Sequence, residues 1–385
     1  MSKLLKFCCP CLFGLESVLT SEIKGIGGEN ITADNGKVTF FGDETTVAKA
    51  NLWLRTAERV ILVLGEFQAR TFEQLFEGVR TIDFSPYISR DAAFTVNGWS
   101  LNSDLSSVPA CQSIIKKAVV KSLSAVYHVD WFEESGPTVS IRFSIMKNAV
   151  SIGLDTSGVA LHKRGWRAQS NAAPIKETLA AGMVWLAHPY DDSTVYDPFC
   201  GSGTLVIEAA LKALNIAPGI NRHFAFEKWF KNGEALLKEE RAKAVQSVRR
   251  DATFHAYASD IDPECVRLTR ENAKKAGIAS RITVTQADVR DFKVTTERGI
   301  ILTNPPYGER LLDIRAAHDL YRLMGEVFEK RNTLSYYIIS PSEEFEQYFG
   351  AKADRKRKLY NGMIKCDLHM YFRNPKEGKG NENHK

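Results

Sequence analysis

From Thr194 to Ser340, short apolar runs alternate with amphipathic stretches. No other feature of the chain restricts its fold as much. The pattern predicts strands over 194–196, 255–258, 282–285, 300–303 and 336–340, with helices over 204–214, 263–276 and 317–328. Short apolar strands separated by helices require an open, mostly parallel sheet covered on both faces. Ligands in such sheets sit at the carboxyl ends of the strands. Residues 358–371 read as a closing antiparallel hairpin, and the polar 375–385 as a disordered tail. Residues 215–252 break the alternation. They carry Phe224, Phe226, Trp229 and Phe230 and read as an insertion between the first helix and the second strand.

The strand ends are chemically distinctive. The first runs into Asp197-Pro198-Phe199-Cys200-Gly201-Ser202-Gly203-Thr204, where two glycines let backbone approach a ligand closely. A nicotinamide dinucleotide loop would need a third glycine where Val206 stands, and Asp197 would repel a pyrophosphate. An acid beside a glycine loop suits a ligand with an ammonium group and no phosphates, such as S-adenosylmethionine. The second strand ends at Asp260, whose carboxylate can accept both ribose hydroxyls. The third ends at Asp288, which can accept from an adenine amino group. A lone Asp after a strand is commonly a helix N-cap, and Asp262 before Pro263 fits that role better. The fourth strand ends at Asn304-Pro305-Pro306-Tyr307. There the Asn304 side-chain carbonyl and the Pro305 backbone carbonyl can orient an exocyclic NH2, and Tyr307 can stack on the base. A base paired inside a helix must flip out to reach them.

The front of the chain has a different pattern. Strand, helix, strand, helix and strand follow one another within residues 7–66, the order of a ferredoxin-like α+β unit. A second block at 70–158 pairs two helices, 71–80 and 113–126, with a strand at 93–96 and a hairpin around Lys147-Asn148. The expected domains are therefore 1–66, 67–160 and 161–385.

At 385 residues, 44% hydrophobic and 25% charged, the composition is that of a globular protein with no run long enough to span a membrane. The start Met1-Ser2-Lys3-Leu4-Leu5-Lys6 lacks the apolar stretch of a signal peptide, which predicts a cytoplasmic protein. Of the seven cysteines, Cys8, Cys9 and Cys11 cluster without the second matched pair a zinc site uses. They read as reduced thiols of a first strand, with no metal expected. The net charge of +5 is compatible with nucleic acid. Two basic runs stand out, His162-Lys163-Arg164 with Arg167, and Lys352 with Arg355-Lys356-Arg357-Lys358.

Asp197 to Thr204 and Asn304 to Tyr307 resemble the cofactor loop and amino-methylating motif of Rossmann-like class I S-adenosylmethionine-dependent methyltransferases. The two front blocks look like the ferredoxin-like and THUMP domains of RNA-modifying enzymes. Three stretches are more specific: His162 to Arg167, Ala173-Pro174-Ile175-Lys176-Glu177-Thr178-Leu179-Ala180-Ala181, and Asn304 to Leu311. Together they resemble the THUMP-containing guanine-N2 methyltransferases of 23S ribosomal RNA, over about residues 4–372. Such chains often carry the label of N6-adenine-specific DNA methylases because Asn-Pro-Pro-Tyr is shared.

The resemblance implies the following roles. Asp197, Gly201 and Gly203 face the methionine part of the cofactor, with Phe199, Ser202 and Thr204 in the same loop. Asp260 holds the ribose, Asp288 lies near adenine, and Asn304 holds the target amine with Pro305 and Tyr307. Lys163, Arg164 and Arg167 contact RNA. Adenine N6 on DNA or RNA, guanine N2 on transfer RNA, and a non-catalytic RNA-binding protein are the alternatives. The retained Asp197, Gly201 and Asn304 argue against the last. The sequence does not specify an oligomeric state.

Overall fold

The computed structural model describes residues 4–167, 174–307, 313–328 and 333–373. Elements of the front half are β1 (Leu5–Pro10), α1 (Glu16–Gly25), β2 (Glu29–Asp34), β3 (Lys37–Gly42), α2 (Thr46–Trp53), β4 (Ile61–Gln68), α3 (Phe72–Arg80), β5 (Ala93–Leu101), α4 (Val108–Tyr127), β6 (Thr138–Met146) and β7 (Ala149–Asp155). Then come α5 (Glu177–Ala187), β8 (Thr194–Asp197), α6 (Thr204–Ala213), α7 (Gly233–Gln246), β9 (His255–Asp260), α8 (Pro263–Lys275), β10 (Ile282–Gln286) and β11 (Gly299–Thr303). The chain closes with α9 (Ile314–Val327), β12 (Leu334–Ser340), α10 (Phe345–Phe349), β13 (Arg355–Asn361) and β14 (Ile364–Tyr371). The tail expected at 375–385, Ala173 of the second specific stretch and residues 308–311 of the third lie outside the described residues. Among the described residues no helix is long and apolar enough to cross a membrane.

The chain forms two compact units. The first comprises Met1–Cys11, Leu19–Leu161 and Asn221–Lys243. Its sheet has the order β2-β3-β1-β4-β7-β6-β5. Phe7, Leu62, Leu154, Ile141 and Val96 pair in register across five strands, and all are buried, so these five strands share one apolar face. The boundary expected between residues 66 and 67 falls inside β4, which pairs with β1 on one side and β7 on the other. The two front blocks therefore share one sheet. β2 was not foreseen from the sequence, because five of its six residues are exposed and it shows no alternation. Pairing with β3 rather than burial holds this edge strand.

The interruption after α6 divides between the units. Residues Asn221–Lys243 group with the first unit. There Phe226 N donates to Thr156 O (3.0 Å), and Arg222 donates to the carbonyls of Leu161 and Val159. Trp229 and Phe230 pack their rings against Tyr87 at 6.1 and 6.0 Å. The aromatic cluster whose role the sequence left open is thus core material of the first unit.

The second unit comprises Leu12–Val18, His162–Ile220 and Ala244–Lys385. Its strand order is β10-β9-β8-β11-β12-β14-β13. The first five run parallel, and the last two form the antiparallel hairpin expected at the C-terminal end. Alternate residues of the central strands enter opposite cores. Val195, Leu302 and Ile339 join a cluster with α5, α6 and α8, while Tyr196, Ile301 and Ile338 join one with α9 and α10. Burial on both faces explains why these strands read as continuous apolar runs rather than alternating ones.

Leu12–Val18 is an integral part of this unit. Leu15 is fully buried in the larger cluster. Gly14 has φ +88°, and a Cβ there would lie 2.3 Å from the Lys358 carbonyl oxygen. Arg357 donates through Nε and Nη2 to the Gly14 carbonyl. Gly14→Ala combines left-handed strain with a backbone clash and is expected to cost roughly 2–3 kcal/mol of stability. Urea unfolding is the check, and a variant within about 0.5 kcal/mol of wild type would refute it.

Candidate active site

The strand order reverses between β8 and β11, so the helices that follow them leave on opposite sides. A crevice opens there at the carboxyl ends. In this structure it is a cavity of about 810 Å³. Every strand-end residue singled out in the sequence, Asp197, Asp260, Asp288 and Asn304, lines it. So do Phe199, Gly201, Ser202, Thr204, Pro305 and Tyr307. Gly203 does not line the cavity. It is the left-handed N-cap of α6 (φ +82°), and a Cβ on it would press on Thr269 at 2.7 Å.

The glycine loop is held from outside. Thr269 Oγ1 donates to Gly201 O (2.8 Å), and Asn272 Nδ2 donates to Ser202 O (2.9 Å). Both side chains come from the buried stripe of α8. Neither was singled out from the sequence, although two polar residues on an otherwise apolar helix face are a usable signal. The Gly201 amide donates to Asp260 Oδ2 (2.9 Å), which ties the loop to the end of β9. The Asp262 amide donates to Asp260 Oδ1 (3.1 Å). Asp262 itself caps α8 by accepting from Glu264 N (2.9 Å), as its sequence context predicts.

The acids differ in environment. Asp197 is only 1% exposed. Its Oδ1 accepts from Thr303 Oγ1 (2.7 Å) and Phe199 N (3.2 Å). Burial outweighs these bonds and pushes its pKa up to about 7, with nearby Asp260 adding in the same direction. Burial also raises Asp260. Asp288 accepts from the Arg290 amide (2.9 Å) and pairs with its guanidinium (3.1 Å). A cation placed beside the buried Asp197 carboxyl would offset that burial and favour its ionised form.

On the opposite wall Asn304 Oδ1 is buried and has no hydrogen-bond partner among the described residues. Buried polar atoms of native proteins are almost always paired, and on the cavity lining this acceptor is available to a ligand donor. Tyr307 is 5% exposed, and Asn361 Nδ2 of β13 donates to its hydroxyl (2.7 Å). Asn361 was not singled out from the sequence, because 54 residues separate the pair.

The first basic run is placed differently from expectation. Arg164 is buried and pairs with buried Glu208 (3.0 Å). Arg167 pairs with Glu177 (3.2 Å) and donates to Ile175 O (3.0 Å) and Thr204 Oγ1 (2.5 Å). Neither guanidinium is presented as an RNA-contacting surface. Desolvated charges need partners, and here Glu177 and Glu208 occupy them. Arg167 instead fastens the Ile175 wall of the cavity to the glycine loop. Of the three residues expected to contact RNA, only Lys163 is exposed.

These residues fit S-adenosylmethionine. A close backbone cradle, a buried acid for an ammonium and a second acid at the adjoining strand end match its parts.

Comparison with known proteins agrees. The RMKL-like methyltransferase domain matches residues 164–370. An RlmL ferredoxin-like domain matches 6–61, and a THUMP domain matches 69–155. The Bacillus subtilis (strain 168) protein named "Putative RNA methyltransferase YpsC" is 44% identical, across 93% of this chain and 94% of its own length. A Shewanella amazonensis "Ribosomal RNA large subunit methyltransferase K/L" is 33% identical across 93% of this chain, which spans only 52% of that enzyme. The crystal structure of "a possible methylase from Clostridium difficile 630" superposes with TM-score 0.94 at 42% identity, covering 99% of this chain and all of that one. SMU.472, solved in complex with SAH, superposes with TM-score 0.92 at 41% identity, covering 97% and 99%. Family, fold and cavity agree: the chain belongs to the THUMP-containing, RMKL-like family of S-adenosylmethionine-dependent methyltransferases.

Proposed function

We propose that this methyltransferase modifies RNA, at the exocyclic N2 amine of a guanine in the 23S RNA of the large ribosomal subunit. The observation that carries an amine acceptor is the buried, unpaired Asn304 Oδ1 on the cavity wall. That oxygen accepts one N–H of the target amine, and the Pro305 carbonyl is available to the other. Together they turn the nitrogen lone pair toward the cofactor. Tyr307 offers a ring for the extruded base, at roughly 1–3 kcal/mol per stacked base. Its hydroxyl is held by Asn361.

S-adenosylmethionine, when bound, supplies an electrophilic methyl group for in-line displacement. Asp197 and the backbone of Gly201 and Ser202 hold its methionine end, Asp260 its ribose, and Asp288 its adenine. Thr269, Asn272 and Arg167 keep that cradle in shape. Positioning accounts for most of the acceleration, and no enzyme-bound methyl intermediate is required.

RNA as substrate is supported by the THUMP match at 69–155 and by relatives named for large-subunit ribosomal RNA. Guanine is favoured by the resemblance of the 304–311 stretch to guanine-N2 enzymes. The deciding experiment is mass mapping of methylated nucleosides in ribosomal and transfer RNA from cells with and without the protein. Loss of one N2-methylguanosine from 23S RNA is the expected result. Loss of N6-methyladenosine, or of a transfer RNA mark, would refute the assignment.

A further inference from the structure

We propose that the β13–β14 hairpin and Phe13 form the surface that holds unpaired RNA flanking the target base. This rests on the RNA substrate proposed above. Charge is the first observation. Residues 352–373 carry seven Lys and Arg against two Asp, an excess equal to the net +5 of the whole chain. The rest of the sequence is neutral in sum, so this segment is where a polyanion is attracted.

Placement is the second. β14 runs antiparallel to β12, with Asp367 opposite Ser340, the last residue of β12. The turn at 362–363 therefore projects beyond the carboxyl ends of the parallel strands, the end where the cavity opens. Asn361 reaches from this turn to the Tyr307 hydroxyl at the cavity wall (2.7 Å). A strand lying along the hairpin leads directly to the residue assigned to the base.

Exposed apolar groups are the third. Met363 at the turn is 95% exposed and Phe13 is 54% exposed. The Phe13 ring meets Tyr360 edge-on at 6.0 Å between centroids. Core packing does not account for Met363. A positive track interleaved with flat or soft apolar side chains is how single-stranded nucleic acid is held without base pairing.

The cations differ in availability. Arg357 is committed to Gly14 O and Ser17 Oγ. Lys358 is exposed, and among the described residues Lys365 has a loose 3.7 Å pair with Glu343, itself 88% exposed. Such surface pairs are weak and exchange readily for phosphate.

The test uses the full chain, deproteinised large-subunit ribosomal RNA as probe, and calorimetry with S-adenosylmethionine. The double variant Lys358→Glu, Lys365→Glu is expected to weaken RNA binding at least about tenfold at low salt. It should also flatten the salt dependence by roughly 1.4 in slope, the value for two contacts to single-stranded RNA. Met363→Ser should weaken binding about threefold with the slope unchanged, as partial loss of an uncharged apolar contact does. Cofactor affinity stays at the wild-type value in both. If wild type binds RNA and both variants bind it equally well, the surface is wrong and the RNA assignment stands. If wild type binds no RNA, the proposed substrate falls, and this surface with it.

Discussion

Asn304→Ala lowers the rate of methyl transfer by roughly 10²–10³-fold, the range for removing one oriented polar group from a transition state. Cofactor affinity stays within about twofold, because nothing assigned to the cofactor is lost. The split follows from position. Asn304 stands one residue beyond Thr303, the last residue of β11, and its Oδ1 is buried and unpaired. An unmet acceptor costs about 1–3 kcal/mol in the free protein. That cost is recovered only when an N–H arrives. Truncation therefore relieves the free protein while removing the contact that orients the amine. Single-turnover methylation of large-subunit RNA and calorimetry with S-adenosylmethionine separate the two effects. A variant that turns over within threefold of wild type would falsify the amine-holding role. A variant that no longer binds cofactor would move Asn304 to the other side of the reaction.

The catalytic half was legible because parallel strands bring residues distant in sequence to one edge. Once 194–196, 255–258, 282–285 and 300–303 read as parallel strands, Asp197, Asp260, Asp288 and Asn304 had to meet. The structure places all four around one cavity. Contacts whose partners lie far away in sequence were not legible. Arg164 and Arg167 read as a surface run because charged residues usually are. Their carboxylates Glu208 and Glu177 sit on different helices, and only the folded chain pairs them. Phe224, Phe226, Trp229 and Phe230 read only as part of an insertion, since their partners Tyr87 and Thr156 belong to the front half. β2 carried no pattern at all, because its stability comes from backbone pairing.

Asp197→Asn is expected to make the protein more stable and far weaker in cofactor binding. The wild-type carboxyl is held near pKa 7 against an ordinary 3.8, chiefly by burial. The unfolded chain therefore gives up this proton at lower pH than the folded one. Stability from this group is full below about pH 4, falls as pH rises, and levels off above about pH 7. Asn keeps an oxygen for Thr303 Oγ1 and Phe199 N and carries no charge to desolvate. Its advantage should be roughly 1–2 kcal/mol near pH 5 and roughly 4 kcal/mol near pH 8, at about 1.4 kcal/mol per pH unit. Comparing the two proteins at each pH cancels the other carboxylates. Urea unfolding gives the numbers, and an advantage that does not grow between those two pH values would show that Asp197 is not held up by burial. Binding should change the opposite way. Losing a charge-assisted bond to the ligand's ammonium costs about 1.5–3 kcal/mol, roughly 10- to 100-fold in Kd. In wild type the ligand selects the ionised carboxylate, so its affinity should fall several-fold from pH 8 to pH 6 even though its own α-amino group gains charge over that range, with no such fall in the variant. A buried acid that destabilises its own fold is retained where a bound cation repays the desolvation. Opposite signs for stability and affinity in one substitution would mark Asp197 as such a group.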